Sequence, residues 1–463
     1  MTLKKSNSQF YVVGGPVQPD RACYIAREAD EEFFRRLADG NYCHVLAPRQ
    51  TGKTSLAART ANRLRAEGFR VAVVDLAQTG GLEPSESIGR WYYSIAYRIV
   101  RELRIRSDMQ TWWQEHGGLT NLQRLRSFFR EVVLAEIQQP VVVMFDRLEA
   151  TLLEPLAQDL FGAIRGCYDA RATDPDYERL GIAMLGTAAP IDLVRKDHDS
   201  PFEISAGIEL PDFTKQEMST LLEGLGDTDS SAHVLAARVG YWTNGHPYMS
   251  QKIFRALGRR ADEGLYPALV DDLASTLFFA PNSVREEPHL SLIRDAVLGA
   301  QTNRIARLNL YGRVCKGAET TAGPDVGVQR ELLTCGILIM TDDDKLEVRN
   351  RIYAAAFSPR WVNQSLPFGW KGFGASAAML AFVVALPIWY TEYLPRPYVK
   401  TLNAADQDYQ VALDAYESLS FLPGFGGTAD QLFADFLERQ SQRAETLSEV
   451  MRIHGRLVQT SGD

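Results

Sequence analysis

"YCHVLAPRQTGKTSLAART", residues 42 to 60, decides the fold. It passes from an apolar run, through a turn ending in Gly-Lys-Thr, into a helix-forming stretch. A loop of the pattern GxxxxGKT points successive backbone N–H groups at a phosphate, and the positive end of the following helix reinforces them. Here Ala47 stands where the pattern has its first glycine, and Pro48, Arg49, Gln50 and Thr51 fill the turn. Alanine is tolerable there if its φ stays negative, since a positive φ costs roughly 1–2 kcal/mol. Gly52 falls where the backbone comes closest to the ligand. Lys53 is placed for the β- and γ-phosphates, the Thr54 hydroxyl for Mg²⁺, and Ser55 continues the set into the helix. ATP or ADP with Mg²⁺ is the expected ligand.

Around this loop, apolar runs alternate with helix-like stretches. "YCHVLAP" (42–48), "RVAVVDL" (70–76), "VVVMFD" (141–146) and "IAMLGT" (182–187) read as buried strands, with "GIEL" (207–210) a fainter fifth. Strand and helix in that rhythm predict an α/β nucleotide-binding core, a parallel sheet with helices on both faces. The strand "VVVMFD" delivers Asp146, a candidate partner for Mg²⁺. Nucleotide hydrolases of this broad type place a glutamate directly after that aspartate to orient water. Here the position is Arg147, which stays protonated and cannot act as a base. Glu149 lies two residues on, on the wrong side if the strand continues and within reach only if a turn returns it. Binding with slow or absent hydrolysis is the expectation.

Composition bounds the rest. A chain of 463 residues suggests two to four units. Hydrophobic residues at 45% and charged residues at 23% exclude general disorder. A formal charge of −8 argues against a protein built to coat nucleic acid. Five scattered cysteines without a CxxC pair suit a reducing compartment rather than a disulfide framework or a zinc site. The N-terminus lacks the long apolar stretch of a signal peptide. Gly372 to Tyr390 runs without a charge and ends in Trp389 and Tyr390, so the sequence predicts a membrane-spanning helix there.

The resulting organisation has five parts: a P-loop core over 1–210, a helical lid over 211–287, a winged helix over 288–366, the membrane helix over 367–391 and a helical C-terminal region over 392–463. The winged helix rests on "RIARLNLYGRVCKG" and "VGVQRELLTCG" followed by "ILIMTDDDKLEVRN", two short strands about an acidic turn. In the lid, "DFTKQEMSTLLEGL" opens on Asp212, and in the tail "TADQ" (428–431) fits a capping box.

With these residues in view, the chain resembles the bacterial AAA-like domain proteins of the STAND class of P-loop NTPases, relatives of the ORC/Cdc6 and apoptotic-ATPase group. The likeness is carried, over roughly 10–366, by "YIAREADEEFFRRL" (24–37), the loop, "GCYDARATDPDYERLGIAMLGTAAPIDLVR" (166–195), "SPFEISAGIELPDF" (200–213), "YWTNGHPY" (241–248) and "LEVRNRIYAAAF" (346–357). It implies that Tyr24, Ile25 and Arg27 lie beside the adenine, that Thr187 is a sensor near the γ-phosphate, and that His246 and Pro247 form the lid turn touching the base. It also implies that the winged helix folds back on the core.

The leading expectation is a switch anchored in the inner membrane by a single pass, with its nucleotide domain cytoplasmic and its copies assembling into a homo-oligomer. Nucleotide and membrane lipid are the expected partners. The acidic wing turn "TDDD" (341–344) disfavours nucleic acid. An active ATPase motor using Asp146, Glu149 and Thr187, and a non-hydrolysing membrane scaffold, are the alternatives.

Overall fold

Strands without an internal charge satisfy their side chains only in a sheet covered on both faces. In the computed structural model this holds most fully for the strand Val141–Asp146, every residue of which is buried. The structure describes residues 9–460 except 79–87, 153–155, 195–199, 227–231, 261–263, 281, 300–302, 319–325, 367–369 and 405, and only the backbone of 156–157, 232, 370–378, 450–451 and 453–460. The chain parts into two compact units, Met1–Pro367 and Phe368–Asp463.

In the first unit the strands are β1 (Cys43–Leu46), β2 (Arg70–Asp75), β3 (Val141–Asp146), β4 (Leu180–Gly186) and β5 (Ala206–Gly207). They form one parallel sheet in the order β2-β3-β4-β1-β5. One face packs on a cluster around Trp91, Phe128 and Phe161, and the other on Phe33, Leu56 and Leu64 from α1 (Glu28–Ala38) and α2 (Lys53–Ala66). β5 is shorter than the sequence suggests. Ile208 still donates to the His44 carbonyl at 2.9 Å, but Pro211 has no N–H to continue the ladder. β4 separates β1 from β3, so the ends of three neighbouring strands bring the loop, Thr187 and Asp146 to one edge. Ligands of open α/β sheets bind at that carboxyl edge.

From Pro211 to Leu366 the described residues are helical apart from a hairpin, β6 (Leu338–Met340) with β7 (Leu346–Val348). The stretches 211–287 and 288–366 share one apolar core, in which Leu221, Phe254 and Phe278 pack with Tyr311, Leu332 and Phe357. The lid helix is capped by Thr214 and Glu217, whose side chains and backbones exchange hydrogen bonds at 3.2 and 2.7 Å. Asp212 is therefore not its cap. It pairs instead with Arg349, directly after β7.

The second unit has its own small core of Leu402, Ala412, Leu419, Ala429 and Phe436. Its last helix runs Gly426–Thr460, so Thr428 lies inside the helix and not at a cap. Phe436 is buried, whereas Leu437 and Leu447 are 43% and 56% exposed, and the side chains of Val450 and Met451 lie outside the described residues. The expected membrane-spanning helix is corrected here: among the described residues no helix is long and apolar enough to cross a membrane. A helix does run Trp370–Ile388, but its described side chains begin at Met379. Ten residues make roughly 15 Å of helix, half of a bilayer core of ~30 Å.

Candidate functional site

The loop between β1 and α2 takes its shape from two left-handed residues, Gln50 (φ 62°) and Gly52 (φ 102°). Ala47 is not one of them. It is buried and its N–H donates to the Gly186 carbonyl at 3.1 Å, extending the β1–β4 ladder. The missing glycine therefore costs no backbone strain. Gly52 is favoured for a second reason, since a Cβ there would lie 3.0 Å from the Arg27 guanidinium and press it aside. That guanidinium, itself buried, donates to the carbonyls of Thr51 and Pro211 at 3.1 and 3.0 Å and so ties the loop to the start of the lid.

Lys53 Nζ donates to the carbonyls of Ala47 and Pro48, both at 2.7 Å. Burial pushes its ammonium down from 10.5 to about 8, against the raising pull of Glu149 and Asp146. Thr54 Oγ1 donates to Asp146 Oδ2 at 2.7 Å. Burial raises the Asp146 carboxyl above its ordinary value, opposed by that bond and by the Arg147 N–H. These are hard oxygen donors, the type Mg²⁺ accepts, and Mg²⁺ ordinarily completes its shell with phosphate and water. Among the described residues no cluster of three or more His, Cys, Asp or Glu could hold a metal ion by itself.

Directly after Asp146 the chain reverses. Arg147 has φ 62°, and a short 3₁₀ turn, Leu148–Leu152, follows. That turn brings Glu149 back to the sheet edge, where its Oε2 accepts from the Thr187 N–H at 3.0 Å. Glu149 and Thr187 line one recess with Arg49, Lys53, Thr54, Asp146 and Leu292. Arg147 itself lies 3.4 Å from Asp75 at the end of β2. Replacing Arg147 with glycine relieves the left-handed strain while losing a half-exposed ion pair worth at most ~1 kcal/mol, so stability should stay within about 1 kcal/mol of the parent. Arg147→Val forces a β-branched residue into the same conformation and should cost about 2 kcal/mol. Denaturant unfolding of the two variants checks the order; a valine variant as stable as the glycine one would contradict it.

Beside the loop lies a cleft of about 540 Å³. Gln50 to Ser55 line it together with Arg147, Asp75 and Gln78, and the rest is lined by Val12, Gly14 to Val17, Cys23 to Ile25, Arg27, Phe213, Pro247, Tyr248 and Gln251. Tyr24, Ile25, Arg27 and Pro247 thus share a cleft with the loop. Tyr24 donates to Asp30, and the Arg59 guanidinium sits 4.5 Å over its ring. His246 does not join them. It is fully buried one residue before the helix Pro247–Arg259, edge-on to His289 at 4.8 Å, and burial drives its pKa well below the ordinary value. A polar residue beside the Gly-His-Pro turn was legible in sequence; which way its ring faces was not.

Several lining residues gave no clear sequence signal. The N-terminal segment crosses the cleft as a strap, held at Tyr11, whose hydroxyl donates to the Leu221 carbonyl at 2.8 Å, and at Val17, whose N–H donates to Ser55 Oγ at 2.9 Å. "GGP" (14–16) marks a turn but not a destination. Phe213, Tyr248 and Gln251 come from the lid.

The hairpin region also meets the loop. Gly336 (φ 83°) packs so closely that a Cβ there would lie 2.5 Å from the Pro48 side chain and 2.8 Å from the Arg349 guanidinium. Arg349, 5% exposed, forms a bidentate pair with Asp212 at 2.6 and 2.7 Å.

Comparison with known proteins places these features. An uncharacterized WD repeat-containing protein of Synechocystis sp. is 29% identical over 385 residues, covering 80% of this chain and 32% of that protein. The chain thus spans about a third of the length of that relative. Among solved structures, the Walker-type ATPase of Pyrococcus abyssi matches with a TM-score of 0.44 and 15% identity, over 74% of this chain and 98% of that one. The ORC2 protein of Aeropyrum pernix, solved in ADPNP–ADP complexes, matches with a TM-score of 0.45 and 16% identity, over 81% and 98%. Residues 12–269, from the strap to the lid helices, match the AAA-like domain, and to that family the chain belongs.

Proposed function

We propose that this protein is an adenine-nucleotide switch of STAND type, in which ATP or ADP held by the loop sets the position of a winged-helix region formed by 288–366. One observation carries the reading: Gly336 of the helix–hairpin region packs against Pro48 of the loop with no room for even a Cβ between them, so a shift of the loop would be felt there. Lys53 would meet the β- and γ-phosphates, and Thr54 with Asp146 would hold Mg²⁺, which when bound neutralises phosphate charge. Self-assembly of copies is the proposed output.

Turnover is proposed to be slow. Arg147 occupies the position directly after Asp146, and the carboxylate of Glu149 is engaged by the Thr187 N–H. The motor reading draws on the same turn, because it brings Glu149 into the recess beside Lys53 and Thr54. Steady-state hydrolysis separates the two. A switch should turn over near background and be unchanged by Glu149→Gln, which keeps an acceptor for Thr187. A motor should lose about 100-fold or more in the same variant. Nucleotide released on denaturing protein purified without added nucleotide should be stoichiometric, and ADP would fit a resting switch.

Attachment to membrane lipid, with residues 1–366 on the cytoplasmic side where ATP is found, is proposed on a second observation. Met379, Leu380, Phe382, Val383, Val384, Leu386, Ile388 and Trp389 are each at least half exposed. At 100° per residue they cover every side of the helix, whereas a helix that docks on one partner keeps a single apolar stripe. The full chain should float with anionic lipid vesicles in a density gradient, and a Leu380→Glu, Val383→Glu double variant should not. Flotation that is unchanged in the double variant would refute attachment through this helix.

A further inference from the structure

The glutamate missing after Asp146 accounts for slow turnover, but not for what the arginine in its place does. Arg147 lines both cavities at the loop, the cleft with Asp75 and Gln78 and the recess with Asp146, Glu149 and Thr187. Its left-handed backbone sets it at the carboxyl edge of the sheet, one residue past the candidate Mg²⁺ partner. The side chain is open to solvent, at 49% exposure. Its guanidinium meets Asp75 through one contact, Nη1 to Oδ2 at 3.4 Å, and not through the two-point fork that arginine forms with a carboxylate at full strength. A half-exposed pair of that kind holds weakly. Asp75 does not depend on it, because its Oδ1 accepts from the Ala77 N–H at 3.0 Å and its Oδ2 from Gln78 Nε2 at 2.8 Å. Arg27, the other arginine of the cleft, is buried and spent on the carbonyls of Thr51 and Pro211. Arg147 is thus a permanent positive charge beside the phosphate-binding loop, resting on a carboxylate that is satisfied without it.

Resting on the nucleotide-switch reading, we propose that Arg147 distinguishes ATP from ADP by exchanging Asp75 for the γ-phosphate. With ADP bound, the guanidinium stays on Asp75. With ATP bound, it turns to the added phosphate. The recess beside Lys53 and Thr54 is lined by two carboxylates, Asp146 and Glu149, which oppose the charge of a third phosphate. A cation brought over from the cleft side offsets them. The planar fork of arginine bonds two phosphate oxygens at once, where Asp75 takes one contact. The residue that cannot act as a base is therefore the one that holds ATP in place, and it is a specificity-determining group for the state of the nucleotide. Asp75 is its competitor: whatever holds the guanidinium there is subtracted from the affinity for ATP.

The test is calorimetric titration of the full chain with Mg-ADP and with the magnesium complex of ADPNP, an ATP analogue that resists hydrolysis. Arg147→Gly and Arg147→Gln should each weaken ADPNP about 10-fold or more and ADP by no more than about threefold. The readout is the ratio of the two ligands, because a disturbed site weakens both alike. Equal losses for the two ligands, or ADPNP bound as well as by the parent, would overturn the proposal. The glutamine variant decides alone if the glycine one does not fold. Asp75→Asn gives a second, opposite reading. It releases the guanidinium and should tighten ADPNP about three- to fivefold in the parent, and not in the Arg147→Gly background. A gain of equal size in both backgrounds would mean that Asp75 acts by its charge alone and would overturn the exchange. Failure of the underlying reading looks different: neither ligand binds the parent at all.

Discussion

Lys53→Ala should weaken binding of Mg-ADP by roughly 100-fold while leaving the fold intact. A hydrogen bond to a charged group contributes about 1.5–3 kcal/mol, and the phosphates have no other lysine on the loop to turn to. The fold should survive because Lys53 is costly where it sits. Its ammonium is buried, its bonds are to the loop's own carbonyls at 2.7 Å, and its pKa is held down at about 8. The sign of the pH dependence follows. The unfolded lysine keeps its proton up to 10.5, so between about 8 and 10.5 the unfolded chain binds more protons than the folded one. Stability contributed at this site therefore rises with pH across that window, and the alanine variant should lack the slope. Nucleotide affinity should move the opposite way, falling as pH climbs through about 8, because the free site loses the charge that phosphate requires. Urea unfolding of parent and alanine variant between pH 8 and 10 checks the first, and calorimetric titration with Mg-ADP at pH 7, 8 and 9 the second. Affinity that is independent of pH in the parent, or a Lys53→Ala variant that binds as well as the parent, would remove Lys53 from the site.

The second large effect is expected at Asp212. Replacing it with asparagine strands the Arg349 guanidinium, 5% exposed, without its countercharge. Breaking a buried pair from one side costs about 3–5 kcal/mol, because the remaining charge is still desolvated. Removing both partners together, as Asp212→Leu with Arg349→Met, should cost much less, since two matched apolar side chains leave no charge behind. Urea unfolding of the parent, the single variants and the double variant measures the coupling; additive losses would mean that the pair is not a unit. The consequence should reach the nucleotide as well. Arg27 joins Thr51 of the loop to Pro211, the neighbour of Asp212, and Arg349 stands against Gly336, which touches Pro48. The single variant should therefore alter Mg-ADP affinity although neither residue lines the cleft.

Much of this architecture could be read directly from residues. The run Val141–Asp146 was legible as a strand to the residue, because a stretch that is apolar on both faces has no other way to be covered. The loop was legible because its chemistry is local: backbone N–H groups, one glycine and one lysine within a few residues of each other. Harmless Ala47 was legible only as a condition on φ. Meeting that condition depended on the Gly186 carbonyl, supplied by a strand that is distant in sequence.

The rest needed the fold. Glu149 is two residues past Asp146, and pattern alone left its side open between a continuing strand and a turn; one left-handed residue, Arg147, supplied the turn. Side-chain direction at a turn depends on a single dihedral, which sequence periodicity does not encode. His246 shows the converse, since a residue adjacent to the cleft in sequence was turned into the core by packing against His289 and Tyr353. Asp212 marked only the start of the lid in sequence, whereas its partner is an arginine 137 residues away. The apolar length of 372–390 predicted a crossing helix, while among the described residues only a shorter apolar stretch is placed. Sequence by itself thus determined the four main strands and the loop, because those depend on neighbours along the chain. The strap across the cleft, the Gly336–Pro48 contact and the Asp212–Arg349 pair were decided by tertiary structure alone, because each joins residues that only folding brings within a few ångströms of each other.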